Sequence, residues 1–159
     1  MDAKQYLKAY RDRFDEIDAA DDMMQTLLQR SKTPSAKMDN PKVVSSNALE
    51  DKMSMYVSRL DAARARLNNL IVKQNKAHDI IERAVELLPT VRKRDVIRYR
   101  YLMNMKWSEV NQHMHGHFDD FEEREESYLR RTTKAHGAAL REMDIILRDL
   151  LEPETGETA

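Results

Sequence analysis

A heptad repeat of apolar residues runs through the middle of the chain and limits its fold more than any other feature. All but one of its twelve positions are apolar: Leu49, Met53, Tyr56, Leu60, Ala63, Leu67, Leu70, Gln74, Ala77, Ile81, Ala84 and Leu88. The alternating steps of three and four residues predict a single helix about 60 Å long. Because an apolar seam this long and narrow must be covered, the repeat predicts a coiled coil.

The residues before this repeat predict its partner helix. Asp2 can cap a helix N-terminus with Gln5 as its capping-box partner, and apolar residues then follow at helical spacing: Leu7, Tyr10, Phe14, Ile17, Met24 and Leu28. Two prolines and several small polar residues in 31–46 predict an irregular connector. We therefore expect a long antiparallel coiled-coil hairpin in 1–88, whose surplus seam pairs with a second copy of the chain or with the C-terminal part.

The second part of the chain, 89–151, is predicted to be a separate domain. Pro89 ends the long helix, and Thr90 offers a cap for the next one. Three shorter helices are expected: Thr90 to Leu102, Trp107 to about Met114, and Tyr128 towards Leu151 with Ser127 as its cap. The polar residues 152–159 predict a disordered tail. With only 3 glycines and 4 prolines, the chain is expected to be all-α.

The composition narrows the class of protein. The chain contains no cysteine, which excludes a disulfide scaffold and a cysteine-ligated zinc site. The sequence has neither an apolar run long enough to span a membrane nor a signal peptide, so we expect a cytoplasmic protein without a membrane partner. It also has no glycine-rich phosphate loop, no nucleophile elbow and no plausible catalytic carboxylate pair. We therefore expect no enzyme activity and no cofactor.

Charge is distributed in blocks along the chain, although the formal net charge is only -1. Residues 91–106 carry six basic side chains and one acidic one, residues 115–126 carry six acidic and one basic, and residues 128–141 carry four basic and none acidic. Such blocks predict separate surfaces with separate roles. One hypothesis is that the acidic segment folds over the basic helix and masks it until a partner displaces it.

Two stretches of the second part resemble a known DNA-binding element. The run "VIRYRYLMNMKWSEV" resembles the start of the helix-turn-helix in region four of sigma factors, and "YLRRTTKAHGAALREM" resembles the recognition helix that follows. With the coiled coil and "VVSSNALEDKM", the chain is similar to phage-borne late-gene transcriptional regulators of the ArpU and RinA type. The resemblance implies a sigma-region-four-like helix-turn-helix and a regulator that binds double-stranded DNA in a bacterial host cell. It also suggests host RNA polymerase as a second partner.

Two groups of side chains are the candidates for DNA contact. Residues at the start of a recognition helix can reach base edges, and those of the expected helix are Tyr128, Arg130, Arg131, Thr133 and Lys134. The preceding basic helix could hold flanking phosphates with Arg92, Lys93, Arg94, Arg98 and Arg100. The alternative is a solvated basic face paired with the acidic block, in a coiled-coil adaptor protein whose helix-turn-helix remnant binds protein rather than DNA.

Histidines alternate in "HMHGHFDD", at positions 113, 115 and 117, with two aspartates close by. Alternating residues converge on one metal ion only from a strand, so we favour polar loop histidines over a metal site. His136 is expected to be a packed core residue rather than a catalytic base. Gly137 beside it would then allow close approach of another helix, because a glycine inside a helix costs about 1 kcal/mol relative to alanine.

Trp107 is expected to be a core residue that sets the angle between its helix and the preceding one. Glu109 favours the same helix start and can bond back to a free backbone N–H. Two features depart from the sigma-like pattern. Asn111 stands where such helices usually pack an alanine, and the connection from Met114 to Ser127 has about a dozen residues where roughly 3 or 4 are usual.

Overall fold

The computed structural model describes residues 2–32 and 46–152, and all regular structure in these ranges is helical. The elements are α1 (Ala3–Lys32), α2 (Ser46–Glu86), α3 (Val91–Ile97), a π-helical turn (Arg98–Leu102), α4 (Trp107–His115) and α5 (Phe121–Leu151). The all-α prediction is confirmed. Nearly all of the predicted connector and of the predicted disordered tail lies outside the described residues. None of the described helices combines the length and the apolar character needed to cross a bilayer.

Three helices begin as their capping residues predict. The Asp2 carboxylate accepts a hydrogen bond from the backbone N–H of Lys4 at 2.9 Å, which satisfies a free donor of the first turn. Thr90 caps α3 through a 3.4 Å hydrogen bond from the N–H three residues on. At the start of α4, Glu109 accepts from the backbone N–H of Lys106 at 2.7 Å. Local capping chemistry therefore sets these boundaries.

The described residues form two compact units, one made of residues 2–12 and 74–152 and the other of residues 13–32 and 46–73. The predicted division at residue 88 differs from this one. The reason is that the last part of the heptad seam is buried in the first unit, at Gln74, Ala77, Ile81, Ala84 and Leu88. The seam is thus shared between the two units instead of belonging to one coiled-coil domain.

In the first unit, the start of α1 contacts the end of α2 through polar groups as well as apolar ones. Gln74, the polar residue of the seam, is buried, and its side-chain nitrogen donates to the carbonyl oxygen of Tyr10 at 3.0 Å. The Tyr10 hydroxyl also lies 2.9 Å from Nδ1 of His78. A buried polar residue is tolerated in an apolar seam when it makes such a hydrogen bond.

In the second unit, fewer of the described side chains are buried. The Tyr56 hydroxyl donates to the carbonyl oxygen of Leu27, and Ala20 and Ala63 are buried. At the start of the heptad seam, Leu49 is 60% exposed and Met53 is 57% exposed. The seam is therefore covered by protein at its C-terminal end and open to solvent at its N-terminal end.

The rest of the first unit is built around α5, which packs against α3 and α4. Its buried side chains include Ala139, Met143 and Leu147, and they share the core with Val96 and Ile97 of α3 and with Val110 of α4. This periodic stripe on α5 is the one that its steps of three and four residues predict. Between α3 and α4, the turn contains Asn104 at a φ of 53°, a conformation that asparagine adopts more readily than most residues.

The last helix begins earlier than predicted. It starts at Phe121, so Ser127 lies inside it and does not cap it. Phe121 is buried and anchors the new start, and acidic residues favour a helix N-terminus through the helix dipole. The helix is kinked where Arg124 has non-helical backbone angles. Only residues 116–120 connect it to α4, so the long insertion expected between the two helices is not present as a loop.

Candidate nucleic-acid interface

Asn111 and Thr132 position α5 on α4 through buried hydrogen bonds. The Thr132 hydroxyl donates to Oδ1 of Asn111 at 3.2 Å, and Nδ2 of Asn111 donates to the Glu125 carbonyl oxygen at 3.1 Å. Asn111 is 1% exposed and Thr132 is fully buried. The asparagine that departs from the sigma-like pattern thus joins the helix that carries the predicted DNA-contacting residues to its neighbour.

Three of the ten predicted DNA-contacting residues line one groove between α3 and α5. This α3–α5 groove has a volume of about 420 Å³ and is lined by Arg92, Arg131, Lys134, Ala135 and Ala138. Arg92 lies far from the other two cations in sequence, so the fold alone brings them together. No acidic side chain is among these lining residues. The groove therefore presents concentrated positive charge.

His115 lies close to the cations of this groove. It is buried, with its ring stacked 4.9 Å from that of Tyr128, so it is a core residue and the prediction of a loop histidine is wrong. Burial lowers its pKa below the ordinary value, and the positive charges of Arg92 and Arg131 lower it further. Its Nε2 is buried and has no hydrogen-bond partner. The neutral imidazole is therefore favoured here.

Three other basic residues of α3 and the π-helical turn are held by the protein itself. Lys93 pairs with Glu142 of α5. The Arg94 side chain donates from Nε to the Leu88 carbonyl oxygen at 2.9 Å. Arg98 pairs with two glutamates of α2, Glu82 at 3.5 Å and Glu86. These three cations stabilise the packing around α3, although the sequence predicted that they would hold phosphates.

The contacts of the acidic segment do not support the masking hypothesis. Asp120 accepts hydrogen bonds from Arg124 at 3.1 Å and from the Tyr128 hydroxyl at 2.7 Å, which together lower the pKa of its carboxyl, the Tyr128 bond most. Glu126 pairs with Arg130 one helical turn away at 2.8 Å. These ion pairs join the acidic segment to residues of α5. The α3 cations Lys93 and Arg94 contact Glu142 and the Leu88 carbonyl oxygen instead of the acidic segment.

Two predicted contact residues at the start of the expected recognition helix are placed differently from one another. Tyr128 is 5% exposed, and its hydroxyl donates a hydrogen bond to Asp120. It is therefore part of the core and is not available to reach a base edge. Arg130 is exposed and paired with Glu126 at the surface, and such exposed pairs contribute little to stability. Burial therefore removes Tyr128 from the predicted set, and Arg130 stays at the surface in an exposed ion pair.

The last two predicted residues, Arg100 and Thr133, line a different hollow, which we call the cationic cavity. Its volume is about 310 Å³, and it is lined by Lys4, Lys8, Arg11, Arg100, Tyr101, Trp107, Thr133 and His136. The α1 cations among them were missed by sequence reasoning. Their spacing of four and then three residues, which places them on one helix face, is the signal that could have identified them.

Trp107 lines this cavity and is half-buried, so it is not the fully buried core residue that was expected. The Arg100 guanidinium lies 4.9 Å from its ring centroid, and His136 contacts it edge-on with ring centroids 4.8 Å apart. The indole thus joins the π-helical turn to α5. Its role in setting the angle between helices stays a prediction, and its partners include α5 as well as the residues before α4.

The three alternating histidines, His113, His115 and His117, contact different aromatic residues. His113 packs beside Tyr99, with ring centroids 5.3 Å apart, and His117 packs beside Phe118 at 4.2 Å. Within the ranges that the structure describes, no group of three or more histidine, cysteine or acidic residues is placed to hold a metal ion.

Comparison with known proteins adds no further assignment. No protein-family model, no curated protein and no solved structure matches this chain.

Proposed function

We propose that this protein binds double-stranded DNA through the α3–α5 groove, as a transcriptional regulator of the phage-borne, sigma-like helix-turn-helix kind. The observation that carries the proposal is the convergence of Arg92, Arg131 and Lys134 on one open groove with no acidic lining residue. Backbone phosphates supply most of the affinity of proteins for DNA, and they are neutralised by arginine and lysine. The proposal includes the cytoplasm of a bacterial host as the location and host RNA polymerase as a second partner.

The exposed face of α5 extends the same positive surface. Arg131 and Lys134 are exposed, and Arg141 is exposed seven residues after Lys134, which places all three on one side of the helix. In the proposed complex, this side of α5 faces the duplex while Arg92 holds a flanking phosphate. The short connection between α4 and α5 agrees with a helix-turn-helix more closely than the sequence suggested.

Binding to DNA should be measured with the full chain and labelled duplexes over a series of salt concentrations. For the parent protein, we expect affinity to fall steeply with salt. Arg131→Gln combined with Lys134→Gln should weaken binding and reduce the salt slope by about 2, roughly one for each lost phosphate contact. Arg130→Gln is the matched control, because Arg130 is adjacent in sequence, exposed and paired with Glu126; it should bind nearly as well as the parent. Equal binding by the double variant and the parent would refute the assignment of the groove.

A second candidate function is protein interaction through a coiled coil formed by α1 and α2. The observation in its favour is the open end of the seam, where Leu49 and Met53 are exposed. The contact between Tyr56 and Leu27 and that between Gln74 and Tyr10 support pairing of α1 with α2. A second copy of the chain is the proposed occupant, since the same heptad repeat would continue across a self-association interface.

Sedimentation equilibrium distinguishes this candidate. Leu49→Lys with Met53→Lys should convert a self-associated parent into a monomer, whereas Ser54→Lys with Ser58→Lys adds the same charge at exposed polar positions and should leave association unchanged. A parent chain that is monomeric at all accessible concentrations would eliminate the homo-oligomeric coiled coil. It would leave the DNA-binding proposal untouched, because the α3–α5 groove lies in the other unit.

A further inference from the structure

The cationic cavity collects positive charge from two separate elements of the first unit. Lys4, Lys8 and Arg11 come from α1, and Arg100 comes from the π-helical turn. The other lining groups are aromatic or neutral polar side chains, and no acidic residue is among those described. A concave surface with four cations and no lining carboxylate is suited to a ligand that carries several negative charges.

The cavity is organised before any ligand arrives. Arg100 donates from Nη1 to the Met105 carbonyl oxygen at 2.7 Å, and its guanidinium is stacked on Trp107. The start of α1 is attached to α5, because the Ala3 backbone N–H donates to Oδ1 of Asp144 at 2.6 Å. Groups that are already held in place lose less conformational entropy when a ligand binds.

The nearby acids make other contacts within the protein, and none of them lines the cavity. Asp2 is engaged in capping α1, and Asp144 holds the Ala3 N–H. Asp12 lies 3.8 Å from Arg11 in a partly exposed pair, which is a weak interaction at this distance. Burial lowers the pKa of Arg100, and the positive charge of Arg11 lowers it further. The cations therefore repel one another, and a bound anion would relieve that repulsion.

Neutral hydrogen-bonding groups complete the lining. The Tyr101 hydroxyl lies 2.9 Å from Nε2 of His136. Thr133 also lines the cavity, and its hydroxyl donates to the Arg130 carbonyl oxygen at 3.0 Å. Burial, followed by the charges of Arg100 and Lys4, lowers the pKa of His136 to about 4. A neutral histidine, a tyrosine and a threonine can contact the oxygen atoms or the organic part of a ligand without adding charge.

We propose that the cationic cavity is a binding site for a small ligand that carries two or more phosphoryl charges, such as a polyphosphate or a nucleoside polyphosphate. The volume of about 310 Å³ lies near the lower end of the range of roughly 300–1,000 Å³ typical of small-molecule sites. Arg92, Arg131 and Lys134 do not line this cavity, so the site is separate from the proposed DNA-binding groove. Binding at this site does not require binding of DNA at the groove.

The single tryptophan of the chain lines the cavity, so its fluorescence reports directly on occupancy. Titration of the full chain with pyrophosphate and with ATP should produce a saturable change in Trp107 fluorescence, and calorimetry should yield the same affinity. Lys4→Gln with Lys8→Gln should weaken pyrophosphate binding by about a hundredfold, roughly tenfold for each lost charge-assisted contact. Lys52→Gln with Lys73→Gln removes two exposed lysines of the other unit and should have no effect.

Several outcomes would overturn the proposal. One is the absence of saturable heat and of a fluorescence change with both probes. Another is unchanged pyrophosphate affinity in the Lys4 and Lys8 double variant, whose fold circular dichroism would verify. Citrate binding as tight as that of pyrophosphate would show a general anion site, and displacement of pyrophosphate by a DNA duplex would assign the cavity to backbone phosphates. Retained pyrophosphate binding by the Arg131 and Lys134 double variant supports the proposal, whether or not that variant has lost DNA binding.

Discussion

The Tyr101 hydroxyl lies 2.9 Å from Nε2 of His136 and joins the turn after α3 to the middle of α5. Their rings are stacked with centroids 5.7 Å apart. Burial raises the pKa of Tyr101 and lowers the pKa of His136 to about 4. Both groups are therefore neutral at neutral pH, and the hydrogen bond links two uncharged partners inside a region of positive charge.

This pair predicts a loss of stability in acid. The pKa of an unfolded histidine is about 6.5, and that of His136 in the folded protein is about 4. Between these values the unfolded chain binds more protons, so the free energy of unfolding rises with pH through this window and falls as the pH drops from about 6.5 to 4. The contribution of His136 to that fall is expected to be about 2–3 kcal/mol.

Denaturant unfolding at a series of pH values measures this effect. The comparison is between the parent and His136→Gln, which cannot titrate and should show a shallower fall between pH 6.5 and 4. His113→Gln, at an exposed position, should retain the slope of the parent. Parallel slopes for the His136 variant and the parent would show that this histidine is not the responsible group.

The buried hydrogen bonds of Asn111 predict a large cost for its truncation. Asn111→Ala leaves the Thr132 hydroxyl and the Glu125 carbonyl oxygen without this partner. The expected loss is about 2 kcal/mol in the free energy of unfolding, because unsatisfied buried polar groups are costly. Thr132→Val completes a double-mutant cycle with this variant. The sum of the two single losses should exceed the loss of the double variant by about 1 kcal/mol, which is the coupling energy between the two side chains. Additive losses would mean that the two side chains do not interact.

Gly137 offers a site for stabilisation. Sequence reasoning assigned it to a close approach between helices, but a Cβ atom at this position would meet no neighbouring atom within 4 Å. That assignment is wrong. Gly137→Ala should therefore stabilise the protein by about 1 kcal/mol, through a lower entropy cost of forming the helix.

Thermal and denaturant unfolding provide the measurement for this substitution. Gly116→Ala is the contrasting variant, because its Cβ would lie 2.4 Å from the Gln112 carbonyl oxygen and the backbone would have to shift. We expect it to destabilise the protein. A destabilising effect of Gly137→Ala would indicate a contact at that position that the structure does not contain.

The two ends of the heptad seam should respond differently to truncation. Ile81 is fully buried, whereas Leu49 is 60% exposed. Ile81→Ala should cost about 2–4 kcal/mol, since it removes buried methyl groups and leaves a cavity. Leu49→Ala should cost less than about 0.5 kcal/mol in a monomer. Urea unfolding at low protein concentration tests both, and a large cost at Leu49 under those conditions would show that the exposed end is covered within a single chain.

Patterns that depend on neighbouring residues were predicted well from the sequence. The caps at Asp2 and Thr90, the α4 start with Glu109, and the apolar stripe of α5 all depend on spacing within one helix. Composition was sufficient to indicate an all-α fold, because few glycines or prolines interrupt the helical runs. The error at Ser127 came from interpreting acidic residues as a loop, although the same residues favour a helix N-terminus.

Long-range contacts determined the remaining features. The heptad repeat specifies a seam but does not say which element covers it, and the structure buries its end from Gln74 to Leu88 in the unit that contains α3 to α5. Likewise, the sequence identified basic residues without indicating which are paired internally. Lys93 and Arg98 have acidic partners, whereas Arg92 joins Arg131 and Lys134, and Arg100 joins the lysines of α1. Helical periodicity is a local property that the sequence determines by itself. The grouping of charges around a groove or a cavity is decided only when distant segments pack together.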